Sequence, residues 1–183
     1  MTPESVFYDK AQDLSFISNI HLPHDKKAGN GFISTLDASG KLVLKWATEK
    51  LNAPKGLYVA GETLWVTDID EVKSYNAKTG KWLTTTKVSG SQFLNDITVD
   101  KAGDVFVTDT GLDSKGKSSG GKKDAVYKIS KGVVSRVRKN KNLSLPNGIY
   151  QDGDGFVVTS FKDKGVYKLS AKGVISDVTA VAG

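Results

Sequence analysis

The sequence Pro54-Lys55-Gly56-Leu57-Tyr58-Val59, followed by Leu64-Trp65-Val66-Thr67-Asp68, is one of four similar stretches that decide the fold. Each stretch opens with a short motif, continues as an apolar segment, and passes through a turn into a second apolar segment that ends in a small polar residue. The recurrence indicates a chain built from a repeated unit. The four opening motifs are Pro3-Glu4-Ser5-Val6, Pro54-Lys55-Gly56-Leu57, Leu94-Asn95-Asp96-Ile97 and Pro146-Asn147-Gly148-Ile149.

Two further strand patterns complete every unit, and glycine or aspartate marks the tight turns between strands. In the second unit these strands are Val72-Lys73-Ser74-Tyr75 and Trp82-Leu83-Thr84. Four strands per repeat are typical of the blades of a β-propeller. The sequence therefore predicts an all-β fold, a β-propeller of four-stranded antiparallel blades. We expect one domain over residues 1–183, with four blades at approximately 3–50, 51–90, 93–140 and 144–180.

The composition is that of an ordinary soluble protein, with 38% hydrophobic and 25% charged residues. No apolar stretch is long enough to cross a bilayer and no signal peptide is visible, so we expect no membrane partner and leave the compartment open between cytoplasm, periplasm and secretion. The absence of cysteine excludes disulfides. The net charge of +6 comes from lysines scattered over turns and outer strands, which favours solvated faces over nucleic-acid binding.

A glycine-rich loop in the third unit, Gly111–Ser118, matches the nucleotide-binding pattern G-x-x-x-x-G-K-[ST]. That pattern binds phosphate when the loop follows a strand and opens a helix. The residues that follow here, Ser119-Gly120-Gly121-Lys122-Lys123, are poor helix formers, and the next predicted element is a strand. We therefore expect no nucleotide at this loop.

The second residue of each opening motif defines a candidate site, because the first strands of propeller blades line a central channel. The four residues are Glu4, Lys55, Asn95 and Asn147. One carboxylate and two amide carbonyls are hard oxygen ligands, which suit Ca²⁺ best and are also acceptable to Mg²⁺, Mn²⁺ or Zn²⁺. In the alternative interpretation, Asn-Asp and Pro-Asn-Gly are common turn sequences that only shape the start of a strand.

Three neighbouring features leave alternatives open. Lys55 could bind an anionic substrate in the channel, but long lysine stems favour a side chain that leans outward into solvent. Asp96 is adjacent to Asn95, although alternation along a strand would turn it to the other face. The polar residues that end the second strands are expected to cap turns and to form hydrogen bonds between blades; they are Asn19, Asp68, Asp109 and Ser160.

At these residues the chain resembles the regucalcin, gluconolactonase and luciferin-regenerating-enzyme family of six-bladed propellers. The resemblance covers essentially the whole chain. It implies a divalent metal held by Glu4 and Asn147, with Asn95 near the metal or in contact with substrate. Four units where the family has six also suggest a fragment without about two blades and without a further acidic ligand. The residues that carry the resemblance are Pro3-Glu4-Ser5-Val6 with Asp9, Asn95-Asp96-Ile97 with Asp100, and Leu145-Pro146-Asn147-Gly148-Ile149.

The leading hypothesis is a metal-dependent hydrolase of a small lactone or ester. A bound ion would polarise the carbonyl while a carboxylate, Glu4 or Asp96, accepts a proton. Asn95 and Lys55 are the candidate substrate-binding residues. The alternative is a non-catalytic propeller that binds a protein or carbohydrate. A partial propeller would also expose strand edges and apolar faces, so self-association of the fragment is a further expectation.

Overall fold

The structure is a computed structural model that describes residues 2–21, 27–113, 115–162 and 165–180. Its strands form four sheets, and each sheet contains four consecutive antiparallel strands. The prediction of an all-β propeller fold with four four-stranded blades is confirmed. Each blade follows chain order, because short turns can join only neighbouring antiparallel strands.

The strand bounds follow the repeat. The first two blades consist of β1 (Thr2–Asp9), β2 (Leu14–Ile20), β3 (Phe32–Asp37) and β4 (Leu42–Ala47), then β5 (Pro54–Ala60), β6 (Thr63–Asp68), β7 (Glu71–Asn76) and β8 (Trp82–Lys87). The last two consist of β9 (Leu94–Val99), β10 (Val105–Asp109), β11 (Ala125–Ser130) and β12 (Val133–Lys139), then β13 (Pro146–Asp152), β14 (Gly155–Ser160), β15 (Gly165–Ser170) and β16 (Ile175–Ala180). A 3₁₀ turn, Lys141–Leu143, precedes β13.

The chain divides into two compact units, Met1–Lys87 with the first two blades and Val88–Gly183 with the last two. Each unit has its own apolar core. In the first unit Phe16, Leu64 and Tyr75 are completely buried, and Trp46 packs edge-on against Phe16. In the second unit the core includes Phe106, Val126, Leu143, Val158 and Leu169. Burial of such side chains is the main term that stabilises each pair of blades.

The aspartates of the family resemblance shape turns. Asp9 Oδ1 accepts a hydrogen bond from Ala11 N at 3.0 Å, and Asp100 Oδ1 accepts one from Ala102 N at 2.9 Å. Carboxylates that bond their own backbone two residues later are typical of tight turns. Asp9 and Asp100 therefore connect the first two strands of their blades.

The glycine-rich loop of the third blade does not lead into a helix. Leu112 and Ser118 form an isolated antiparallel bridge, and Asp113 Oδ1 accepts hydrogen bonds from Lys115 N and Lys117 N. The next element is β11, the strand that the sequence predicted. Throughout the described residues, no helix has the length and apolar character needed to span a membrane.

Candidate functional site

Each innermost strand has a β-bulge at the candidate position. The pairing with the second strand shifts between Pro3 and Ser5 and between Pro54 and Leu57 in the first unit. In the second unit it shifts between Leu94 and Ile97, opposite β10, and between Pro146 and Ile149. A bulge bends the strand and redirects a side chain. The residues within these shifts include Glu4, Lys55, Asn95 and Asn147.

A hydroxyl side chain on the second strand satisfies the backbone at three of these bulges. In each case it accepts the N–H of the residue that follows the candidate residue, which keeps the bulged backbone paired. The three hydrogen bonds run from Ser5 N to Ser18 Oγ (3.0 Å), from Asp96 N to Thr108 Oγ1 (3.0 Å) and from Gly148 N to Thr159 Oγ1 (2.8 Å). Our sequence reasoning missed these positioning residues. The signal was present, because Ser or Thr precedes every one of the four polar residues near the ends of the second strands.

In the first unit, Glu4 is exposed and Lys55 is buried, with 2% of Lys55 accessible to solvent. Lys55 Nζ donates a hydrogen bond to the Ala53 carbonyl at 3.3 Å. The expectation that Lys55 extends into solvent is wrong, because β5 is covered on both faces over its first four residues. Burial lowers the pKa of Lys55 below its usual range, while the negative charges of Glu4 and Asp68 oppose that shift.

Replacing Lys55 with methionine is expected to raise the free energy of unfolding at neutral pH by about 1 kcal/mol, because an apolar side chain of similar length carries no desolvation cost. A lysine whose folded-state pKa is depressed makes the protein more stable as the pH rises towards 10.5, its ordinary value. Lys55→Met should lose that alkaline increase. Urea unfolding at neutral pH and at about pH 10 tests both parts, and a variant with an unchanged alkaline increase would contradict the prediction.

In the second unit, the Asn95 side chain is held in place by a threonine. Asn95 Nδ2 donates to Thr110 Oγ1 at 3.0 Å, and Thr110 Oγ1 donates to the Pro146 carbonyl at 2.8 Å. Asn95 is only 9% exposed. Because the amide nitrogen faces Thr110, the amide oxygen Oδ1 is directed away from it. The arrangement fixes an oxygen acceptor at the start of β9.

Asp96 links β9 to β13. Its Oδ2 accepts a hydrogen bond from Ile149 N at 2.9 Å, and a Cβ placed on Gly148 would lie 3.7 Å from the same oxygen. Burial raises the pKa of Asp96 above its usual range, while the backbone N–H groups of Ile149 and Ile97 act in the opposite direction. Asp96 is therefore a half-buried carboxylate held beside the glycine that follows Asn147.

Asn147 is half-buried and is held through its backbone. Its carbonyl oxygen accepts a hydrogen bond from Thr108 Oγ1 at 2.5 Å. Its side-chain amide makes no hydrogen bond to any residue in the part of the chain that the structure describes. An amide on a fixed backbone with unused hydrogen-bonding capacity can serve as a ligand.

The aspartates at the ends of β6 and β10 hold the loop before the innermost strand of their own blade. Asp68 accepts hydrogen bonds from Asn52 N at 2.9 Å and Ala53 N at 2.7 Å. Asp109 accepts them from Gln92 N at 3.0 Å and Phe93 N at 2.9 Å, in the equivalent arrangement. For Asp68 and Asp109 the capping part of the expectation is confirmed. The sequence also predicts hydrogen bonds between blades for these residues. These hydrogen bonds of Asp68 and Asp109 instead lie within one blade.

The oxygen donors fit a divalent ion by type. Carboxylate and amide oxygens are supplied by Glu4 in the first unit and by Asn95 and Asn147 in the second, and such ligands suit Ca²⁺. Over the described ranges, no cluster of three or more His, Cys, Asp or Glu side chains could hold a metal. Oxygen donors of this type suit a hard cation, and affinity for Ca²⁺ rises with the number of charged ligands.

Comparison with solved structures gives similar folds at low sequence identity. Streptogramin B lyase has 17% identity and a TM-score of 0.68, over 98% of this chain and 54% of that chain. Luciferin-regenerating enzyme has 14% identity and a TM-score of 0.62, over 99% and 64%. Regucalcin from Agrobacterium tumefaciens, a calcium-binding protein, has 16% identity and a TM-score of 0.63, over 97% and 58%. No match is found among curated protein sequences.

These likenesses show the fold, and the chain spans about half the length of the streptogramin B lyase chain. A family model carries the assignment further. The model described as the SMP-30/Gluconolactonase/LRE-like region matches residues 2–171, which include all four candidate positions. The chain therefore belongs to the SMP-30/Gluconolactonase/LRE-like family.

Proposed function

We propose that the protein is a metal-dependent hydrolase of lactone or ester substrates. The observation that carries the proposal is the bulge that recurs at one position of all four innermost strands. Membership of the SMP-30/Gluconolactonase/LRE-like family supports hydrolysis as the reaction. The calcium-binding description of the regucalcin structure supports a divalent ion, with Ca²⁺ as the first candidate.

In this proposal Glu4 and Asn147 are metal ligands, and Asn95 is a ligand or contacts the substrate. The support comes from the repeat position that these residues share and from their oxygen chemistry. Asn147 contributes an amide without a partner among the described residues, on a backbone that Thr108 holds in place. Lys55 is a substrate-binding candidate, because an ammonium held by the Ala53 carbonyl attracts an anionic group of the substrate or product.

The reaction needs a base as well as an electrophile. A bound divalent ion supplies the electrophile by polarising the substrate carbonyl. Asp96 is the proposed base: burial raises its pKa, which makes it a stronger proton acceptor than an exposed aspartate. Its bond to Ile149 N engages one carboxylate oxygen. The other oxygen, Oδ1, is then the one to accept the proton of the attacking water.

The test combines calorimetry with Ca²⁺ and a lactonase assay, with and without chelator. Asn147→Ala should weaken Ca²⁺ binding by about tenfold or more, the effect of losing one ligand contact of about 1.4 kcal/mol. Asn30→Ala, at an exposed asparagine outside the site, is the matched control and should bind Ca²⁺ normally. Asp96→Asn should lower kcat and leave Ca²⁺ affinity unchanged. Hydrolysis that persists in chelator and in Asp96→Asn would reject the proposal.

One alternative has its own support, a non-catalytic propeller that binds a protein or carbohydrate. A buried lysine occupies one of the four candidate positions, where it brings positive charge instead of an oxygen ligand. Within the described ranges the acidic residues do not form a cluster of metal-binding size. Both features lower the negative charge available to a divalent ion. Ca²⁺ binding without hydrolysis of any lactone or ester would select this alternative.

A further inference from the structure

A cleft of about 720 Å³ lies in the second unit, apart from the candidate hydrolase residues. Side chains at the end of β12, after the 3₁₀ turn and along β16 form its walls. A volume of this size is typical of sites for small organic molecules. Its charged lining residues are Arg138, Lys141, Lys162 and Asp124, and its apolar lining residues include Val174, Ile175 and Val178.

The cleft has an excess of positive charge. None of its three cations, Arg138, Lys141 and Lys162, forms an ion pair with a residue that the structure describes. The carboxylate of Asp124 is buried: its Oδ2 accepts a hydrogen bond from Leu145 N at 2.8 Å, while its Oδ1 has no hydrogen-bond partner among the described residues. The charge of Lys162 acts on this carboxylate, so the three cations face one negative charge. Concave surfaces lined by one sign of charge concentrate ions of the opposite sign. The lining therefore favours an anion.

Arg138 adds a specific donor. Its Nε is buried and has no hydrogen-bond partner among the described residues. A buried donor without an acceptor costs free energy, so native structures normally satisfy it with protein, water or ligand. A guanidinium also matches the geometry of a carboxylate or phosphate, which it binds through two parallel hydrogen bonds.

The backbone at the wall is held in an uncommon conformation. Ser144 and Leu145 line the cleft with φ values of 52° and 59°, in the left-handed region that residues other than glycine rarely adopt. The hydrogen bond from Leu145 N to Asp124 and the bond from Tyr167 OH to the Leu143 carbonyl hold this segment. Strained backbone that surrounding contacts hold in place is concentrated at functional sites.

We propose that this cleft binds a small organic anion with an oxyanion head group and an apolar portion. Arg138 and Lys162 bind the head group, with Lys141 adding positive charge. The apolar portion lies along Val174 and Val178, which are 61% and 71% exposed in the structure and gain burial from such a ligand. The site goes beyond the proposed hydrolase function and shares no residue with it.

The test is a titration of the full ¹⁵N-labelled chain, followed by NMR, with octanoate, octyl phosphate and 1-octanol. The two anions should give saturable shifts of the Gly120 and Ser144 amides, while the neutral alcohol, with the same tail, should not. The tighter of the two anions identifies the head group. Arg138→Gln should weaken binding by about tenfold or more, because it removes the charge-assisted hydrogen bonds to the head group.

The matched control is Lys139→Gln, which removes a charge from the exposed residue next to Arg138 on β12. Its affinity for both anions should stay within about twofold of the original, since adjacent strand residues face opposite sides. Lys162→Gln is a second test: it should also weaken the binding of both anions, and it does not depend on whether the Arg138 variant folds. Binding of 1-octanol as tight as that of the anions, equal losses in Lys139→Gln, or no saturable shift with either anion would overturn the proposal.

Discussion

Replacing Lys73 with methionine is expected to lower the free energy of unfolding by about 3–5 kcal/mol, the usual cost of leaving one member of a buried ion pair alone. Lys73 is 2% exposed, and its Nζ lies 2.5 Å from Oδ2 of Asp68, whose side chain is completely buried. Nζ also donates to the Lys50 carbonyl. Without the ammonium, the Asp68 carboxylate remains in the interior beside an apolar side chain. Urea denaturation monitored by circular dichroism measures the loss.

Two further variants separate the buried charge from general effects of the substitution. Lys78→Met removes the same side chain from an exposed pair with Glu62 and should leave stability unchanged within error, because exposed ion pairs contribute little. Adding Asp68→Asn to Lys73→Met removes the unpaired carboxylate and should recover part of the loss. A Lys73→Met variant as stable as Lys78→Met would show that Asp68 does not depend on Lys73.

Lys73 and Lys55 are both buried in the first unit, but replacing them with methionine is expected to change the free energy of unfolding in opposite directions. Lys73 neutralises a carboxylate at 2.5 Å, and its removal leaves that carboxylate uncompensated. Lys55 Nζ donates a hydrogen bond to the Ala53 carbonyl at 3.3 Å, and burial depresses its pKa, so its charge is a cost that methionine removes. A charge maintained at such a cost is more common at functional sites than elsewhere. This contrast supports a functional role for Lys55.

The strands could be predicted from the sequence because their signals are local. Alternating apolar residues and turn residues recur within each unit, and they identify β5 through β8 without any knowledge of the neighbouring blades. The candidate residues could also be identified, because repetition places Glu4, Asn95 and Asn147 at one position of the unit. Both kinds of signal need only the order of residues along the chain.

The features that were missed depend on contacts between distant residues. The bulges follow from the register between two strands, and the Thr108 hydroxyl serves β9 and β13 together, through Asp96 N and the Asn147 carbonyl. The burial of Lys55 likewise depends on what covers β5. Lysine favours solvent on average, and tertiary packing overrides that preference here. Such features require coordinates, because no local pattern specifies them.

Replacing Gly173 with alanine is expected to lower the free energy of unfolding by about 2–4 kcal/mol, the sum of a backbone and a packing cost. Gly173 has φ +80°, where an L residue is strained, and its Cβ would lie 2.5 Å from the Val137 carbonyl oxygen and 3.5 Å from Arg138 Cβ. The Val137 carbonyl is part of the β12 backbone, so it cannot move aside at low cost. Urea denaturation measures the total.

Gly132 separates the two costs, because it has the same φ of +80° in the last turn of the third blade and no atom within 4 Å of its added Cβ. Gly132→Ala should therefore lose only the backbone cost, about 1 kcal/mol. The difference between the two variants measures the close approach of the β15–β16 turn to β12. Equal losses of stability in the two variants would show that the β15–β16 turn moves away from β12 without cost. The cleft beside Arg138 would then have no fixed wall.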